Sequence, residues 1–263
     1  MNVFTIFGDP VSHSRSPLMH NAVFKTLGID ACYTRTHLTD GSQLRNVFMA
    51  KALSGANVTV PHKETAYLQC DEVRGIAATI KAVNTLVLEK GRLIGYNTDA
   101  EGFVRAIESF GPLTSALILG AGGTARALSI ALRARGIEAS VLNRSRARLE
   151  YFQNEGIASY AWDDFLPAPY DMIINTTSAG LSDNELPLPA PLLDAILSRA
   201  RCAVDVIYGK ETPFLREVKA HELPYKDGSD MLLQQGVLAN RLFLRDLVSL
   251  DEIEGPMKRS FLL

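Results

Sequence analysis

Residues Ser115–Gly136 read SALILGAGGTARALSIALRARG, and this stretch decides the fold. Ser115–Leu119 is almost wholly apolar, as a strand covered on both faces is. Thr124–Arg135 carries apolar residues at helical spacing, and Gly136 ends the run. Between them stands Gly120-Ala121-Gly122-Gly123, which with Ala125 matches G-x-G-x-x-A. In such a loop the first glycine permits a tight turn. The second lets a pyrophosphate approach the backbone, and a small third residue lets helix and strand pack closely. The N–H groups of Gly123 and Thr124 at the helix start then face the phosphates. Strand, loop, helix and a following strand at Glu138–Leu142 predict a Rossmann-type, doubly wound dinucleotide-binding domain.

The end of that following strand selects the cofactor. NAD binders carry Asp or Glu about 20 residues beyond the glycines, where it holds the ribose 2′-hydroxyl. Here the position is Asn143, followed by Arg144, Ser145, Arg146 and Arg148. Guanidinium groups hold a phosphate through paired, charge-assisted hydrogen bonds, so NADP is favoured over NAD. Arg146–Glu155 reads as a helix, and Met172–Asn175 and Ala203–Val206 as further buried strands.

Upstream, strand-like and helix-like segments alternate: Val3–Phe7, Leu18–Leu27, Ala31–His37, Leu44–Leu53 and Ala56–Val60. A short helix is expected at Lys63–Leu68, and a hairpin pairs Ala82–Leu88 with Arg92–Tyr96. This predicts a first α/β domain with a largely parallel sheet. The expected division is residues 1–100 for a substrate-binding domain and 101–235 for the dinucleotide-binding domain. Asp230–Leu247 reads as a long amphipathic helix, and a C-terminal helical segment, about 236–263, is expected to return to the first domain.

The chain has 263 residues, with 27 Lys and Arg against 29 Asp and Glu. That balance gives no electrostatic reason for a nucleic-acid or anionic-membrane partner. No run reaches the roughly 18 apolar residues of a membrane helix. Cys32, Cys70 and Cys202 are far apart and form no C-x-x-C pair, which points away from a disulfide framework and towards a cytoplasmic setting. The five histidines show no metal-ligand spacing, so no metal is expected. Monomer and homodimer both remain open.

Four polar segments mark the first half: Ser12–Pro17, Asn57-Val-Thr-Val-Pro-His-Lys-Glu64, Ala82-Val-Asn-Thr85 and Gly95-Tyr-Asn-Thr-Asp99. Each is read as lying at or just after a strand end, where open α/β sheets bind ligands. Turn and cap chemistry uses the same residue types, and for any one segment alone that reading is equally open. Together and in this order they resemble the shikimate dehydrogenase family, which reduces 3-dehydroshikimate with NADPH. The matching motifs are Ser-x-Ser-Pro, Asn-Val-Thr-x-Pro-x-Lys, Ala-Val-Asn-Thr and Asn-Thr-Asp-x-x-Gly, then Gly-Ala-Gly-Gly and Asn-Arg-Ser.

The resemblance implies roles. Ser14 and Ser16 are expected to bind the substrate carboxylate, and Thr59, Asn84 and Asp99 the ring hydroxyls. Lys63 is the implied acid and base, with Asp99 its partner. Tyr208 and Gln235 match further substrate-contacting positions. Gly120, Ala121, Gly122, Gly123 and Thr124, then Asn143, Arg144, Ser145 and Arg148, match the NADP loops. Thr176, Val206 and Gly228 match positions near the nicotinamide end, and the reaction is expected in a cleft between the domains. Lys63 faces opposed influences: burial favours the neutral amine, and a near carboxylate favours the ammonium. The chain departs from the family at Lys81, where Gly is usual, and at Asp230, which replaces a Gly. Two alternatives are an NAD-preferring quinate/shikimate dehydrogenase and a ligand-sensing homologue without catalysis.

Overall fold

The computed structural model describes residues 1–261. It divides into two compact units, Met1–Gly102 together with the chain from Leu233, and Phe103–Leu232.

The first unit runs β1 (Asn2–Gly8), α1 (Ser16–Leu27), β2 (Ala31–His37), α2 (Leu44–Ala50), β3 (Gly55–Val58) and α3 (Lys63–Gln69). It continues with β4 (Glu72–Val73), α4 (Ile76–Ile80), β5 (Thr85–Glu89), β6 (Arg92–Tyr96) and the start of α5 (Asp99–Ile107). The strands form one sheet in the order β2-β1-β3-β5-β6-β4. The sheet is mostly parallel, with the expected hairpin and one further antiparallel pairing. β3 and β5 pair antiparallel, as do β5 and β6, whereas β1 pairs parallel with both β2 and β3.

Both faces of this sheet are covered. Phe7, Ala56, Val58, Leu86 and Leu93 pack with Leu44 and Phe48 of α2, Ala66 of α3 and Ala77 of α4. On the other face Phe4, Ile6, Tyr33 and Val87 meet Phe24 of α1 and Ala239 and Phe243 of a helix from the chain's far end. The rings of Phe4 and Phe243 stack at 4.7 Å.

The second unit runs β7 (Ser115–Leu119), α6 (Gly123–Ala134), β8 (Glu138–Asn143), α7 (Glu150–Asn154), β9 (Ala158–Ala161) and β10 (Tyr170–Asn175). It ends with α8 (Ala190–Leu197), β11 (Ala200–Asp205), α9 (Pro213–Ala220), β12 (Tyr225–Lys226) and the first turn of α10 (Ser229–Phe243). Its sheet is parallel throughout, in the order β12-β11-β10-β7-β8-β9. That is the doubly wound arrangement, with its switch point between β7 and β10. Alternate strand residues serve opposite faces. Ala116, Ile118, Val141 and Ile174 pack on Ala125, Leu128 and Leu132 of α6. Leu117, Leu119, Leu142 and Ile173 pack on Leu193 and Ile196 of α8 and Phe214 and Val218 of α9.

Two helices differ from expectation. Arg146–Glu155 is not one helix: a 3-10 turn at Arg146–Arg148 precedes the short α7. The single helical segment expected over 236–263 is two pieces. α10 stops at Phe243, Arg245 and Asp246 take positive φ, and α11 (Leu250–Ser260) starts at a Ser249–Glu252 capping box. Arg245 and Asp246 thus supply the left-handed turn that glycine usually supplies. Among the described residues, no helix is long and apolar enough to cross a membrane.

Candidate active site

In the first unit, antiparallel pairing gathers the polar segments. The carboxyl end of β1 leads into the loop holding Ser14 and Ser16, and that of β3 leads to Thr59 and Lys63. Ala82-Val-Asn-Thr85 does not follow a strand, as expected, but precedes β5. Because Asn57 pairs with Thr85, and Thr85 with Tyr96, the amino end of β5 lies at the edge where β3 and β6 finish. Asn84 therefore joins Thr59 and Asp99 at one sheet edge.

Lys63 opens α3 and Asp99 opens α5. The Lys63 ammonium donates to Asp99 Oδ2 at 2.7 Å, and both side chains are mostly buried, 18% and 11% exposed. The Val83 amide donates to the Lys63 carbonyl at 2.9 Å, tying α3 to the Asn84 segment. Asn97 Oδ1 accepts from the Asp99 amide at 3.1 Å and so caps α5. The Asp99 carboxylate then stands at the positive end of that helix.

Asn84 is buried, and its amide is fixed at both ends. Its Oδ1 accepts from the Thr98 amide at 2.8 Å and the Thr85 hydroxyl at 2.9 Å, while its Nδ2 donates to Thr98 Oγ1 at 3.0 Å. Asn57, to which the sequence reading gave no role, links this group to the interior. Its Nδ2 donates to Thr85 Oγ1 at 3.1 Å, and its Oδ1 accepts from the Tyr33 hydroxyl at 2.6 Å. Burial holds the Tyr33 phenol well above its ordinary range. Tyr33 stacks on His20 at 4.3 Å, and burial pushes the His20 imidazole down to about 3. The signal for Asn57 was its place at the head of the Asn-Val-Thr motif; Tyr33 and His20 had no sequence signal beyond residue type.

Ser14 and Ser16 are buried, with the Ser14 hydroxyl donating to Ser16 Oγ at 3.2 Å. Thr59 is half-buried, directly after β3. Gln235 lies on α10, packed closely on α5. A Cβ at Gly102 would fall 2.6 Å from the Gln235 amide nitrogen, so the last residue of Asn97-Thr-Asp-x-x-Gly102 has no room for a side chain. Tyr208 lies in the other unit, half-buried in the loop after β11.

In the second unit, the expected cofactor residues follow the carboxyl ends of four adjacent strands: Gly120 after β7, Asn143 closing β8, Thr176 after β10 and Val206 after β11. Gly120 takes φ +102, which strains any other residue. Thr176 Oγ1 donates to the Leu119 carbonyl beside it at 2.8 Å. Ala121 is buried; Cβ atoms built at Gly122 and Gly123 would meet nothing within 4 Å, so the start of α6 is open to an anion, with Thr124 in its first turn. Gly228 approaches the Val206 carbonyl so closely that its hydrogen cannot be replaced without moving backbone.

Beneath this edge the buried Asp205 carboxylate accepts from Asn175 Nδ2, the Ile207 amide and the Thr212 hydroxyl, which holds the loop carrying Val206 and Tyr208. Burial holds the Asp205 carboxyl above its usual range. Arg144, Ser145 and Arg148 are exposed beside Asn143, and the Arg144 guanidinium lies 6.0 Å from the Trp162 ring centre. Arg146 is different: it makes a two-pronged ion pair with Asp164. Asp230, in place of the family's Gly, pairs with Lys226.

Residues 6–86 match the family model described as the shikimate dehydrogenase substrate binding domain. A shikimate dehydrogenase (NADP(+)) of Helicobacter hepaticus is 43% identical over 264 residues, covering 100% of this chain and 98% of its own. One from Helicobacter pylori is 46% identical, covering 98% of each chain. The chain belongs to the shikimate dehydrogenase family. Among solved structures, the shikimate 5-dehydrogenase of Thermus thermophilus in complex with NADP(H) and shikimate aligns with a TM-score of 0.84 and 36% identity, over 99% of this chain and 100% of that one. At Lys81, where the sequence reading expected Gly, the backbone is one that suits glycine. Lys81 ends α4 at φ 54 and ψ 39, the left-handed conformation in which glycine carries no Cβ penalty.

Proposed function

We propose that this chain is an NADP-dependent shikimate dehydrogenase. It interconverts 3-dehydroshikimate and shikimate, a step of the shikimate pathway of aromatic amino acid and chorismate biosynthesis. The observation that carries the reading is the Lys63–Asp99 pair at 2.7 Å, on the edge that also holds Thr59 and Asn84. The relatives' names agree with it.

Bound NADPH supplies the hydride that reduces the ring ketone. The open start of α6 suits a pyrophosphate, and Arg144 and Arg148 suit the 2′-phosphate. The protein's own part is orientation and the proton. As the carbonyl becomes an alkoxide, negative charge grows on oxygen, and a charged Lys63 beside it stabilises that charge. The Lys63 ammonium then gives its proton to the alkoxide, leaving a neutral amine beside Asp99. In the oxidation direction the neutral Lys63 takes the proton from the hydroxyl. Asp99 keeps the Nζ aimed, and Asn84, held on both sides, fixes the ring hydroxyls with Thr59. Ser14 and Ser16 take the carboxylate, and Gln235 and Tyr208 add contacts. Three free thiols support a cytoplasmic location, where the protein acts as a monomer or homodimer.

The test is NADP-coupled oxidation of shikimate, followed by nicotinamide absorbance, on wild type and Lys63→Ala. Charge stabilisation of about 3 kcal/mol corresponds to a fall in kcat of about a hundredfold. Turnover retained within about tenfold by the variant, or a wild type that reduces no NADP, overturns the reading.

A further inference from the structure

The loop carrying Ser14 and Ser16 is held by two arginines that do different work. Arg15 stands between the serines in sequence, yet its guanidinium donates to the Ser260 carbonyl at 3.2 Å, at the end of α11, and lies over the Phe261 ring. Its charge is spent on a helix terminus. Arg35, from β2, turns the other way. Its Nε and Nη2 both donate to the Ser14 carbonyl, at 3.1 and 2.6 Å. This is the forked geometry that guanidinium offers and ammonium lacks. Ser14 in turn sets Ser16: its hydroxyl donates to Ser16 Oγ and accepts from the Ser16 amide at 3.3 Å.

Two neutral hydroxyls hold a carboxylate only if both donate to it, and a hydroxyl carries one hydrogen that rotates to suit its acceptor, so Ser14 turns its hydrogen from Ser16 Oγ to the carboxylate when the anion binds. Fixing the Ser14 peptide holds the two hydroxyl oxygens where both hydrogens can reach one anion. A guanidinium hydrogen-bonded to that peptide also adds positive charge one residue from the anion. We propose that Arg35 is a positioning residue for the substrate's carboxylate end, aligning Ser14 and Ser16 and completing a site of net positive potential there. This rests on the reading that these serines hold the carboxylate.

The experiment uses the full chain with Arg35→Gln, Arg35→Lys and Ser14→Ala. It measures KM for shikimate, KM for NADP and kcat, together with the inhibition constant of shikimate carboxamide, which keeps the ring but lacks the negative charge. Loss of one charge-assisted contact is worth about tenfold in affinity. Arg35→Gln is expected to raise KM for shikimate by about that factor, with kcat and KM for NADP within about twofold of wild type. Arg35→Lys is expected to recover part of the loss, because it keeps the charge without the fork. Carboxamide inhibition is expected to weaken clearly less than shikimate binding in Arg35→Gln, because the amide oxygen still uses the aligned hydroxyls but carries no charge.

An equal penalty on shikimate and carboxamide, or an unchanged KM for shikimate, overturns the proposal. Ser14→Ala separates the two levels. If it penalises shikimate more than carboxamide while Arg35→Gln does not, only the role of Arg35 falls. If Ser14→Ala also fails to discriminate, the carboxylate reading falls, and the Arg35 role with it.

Discussion

Acid should destabilise this protein through His20. The ring is 1% exposed, stacks on Tyr33, and has Nδ1 2.8 Å from Asn240 Nδ2. Burial keeps the imidazole neutral, and with the Asn240 amide so turned Nδ1 accepts from it. Burial is the main cause that brings its pKa from 6.5 down to about 3; a hydrogen bond with Asn57 opposes this more weakly.

The folded state therefore holds off a proton that the unfolded chain accepts. The sign follows: the contribution is complete above the unfolded value near 6.5 and is lost as pH falls towards the folded value. Each unit in that window costs about 1.4 kcal/mol, so going from about pH 7.5 to about pH 5 should remove about 2 kcal/mol. The assay is urea unfolding of wild type and His20→Met at both values. The variant should be less stable at neutral pH, because Asn240 Nδ2 loses its acceptor at a cost of about 1–3 kcal/mol. Its loss on acidification should be smaller than that of wild type by about 2 kcal/mol. Equal acid sensitivity in the two proteins would refute the assignment of a neutral buried His20.

Further expectations follow from three side chains. Arg144→Ala should raise KM for NADP about tenfold or more, while leaving weak activity with NAD and KM for shikimate unchanged. Arg146→Ala should do much less, because Asp164 already holds that guanidinium; steady-state kinetics with both cofactors checks the pair. Lys81→Gly should remove a left-handed penalty of about 1–2 kcal/mol and restore about 0.5–1 kcal/mol of unfolded-chain freedom. The net gain of about 0.5 kcal/mol should raise Tm by about 1–2 °C, with kinetics unaffected. A lower Tm would count against strain at that position.

The second unit was the more legible of the two, and the reason is physical. A parallel sheet covered on both faces leaves unbroken apolar runs, as at Ser115–Leu119, and its ligand loop is made by backbone chemistry that only glycine permits. The first unit's edge was readable as motifs but not as geometry. No local pattern says that β5 runs against β3, and without that pairing Asn84 is misplaced by a whole strand length. β9 and β12 went unseen because they are short and partly exposed, with little alternation to detect.

Two helices were within reach. Thr212-Pro213 is a cap followed by a proline in the first turn of the unseen α9, and Ser249-x-x-Glu252 is a capping box that marks a new start within the expected C-terminal helix. The Tyr33–Asn57–Thr85–Asn84 relay was beyond reach, since it joins residues from three strands whose order only the folded chain reveals.

The stacking of Phe4 on Phe243 has a consequence for biosynthesis. The first unit's sheet is complete at Tyr96, but the part of one face that Ala239 and Phe243 cover beside α1 waits for α10, which begins about 130 residues later. The intervening nucleotide-binding segment is continuous and is complete well before that. The nascent protein thus keeps part of that apolar face uncovered throughout synthesis of the second unit, and the aromatic contact that closes it forms only afterwards.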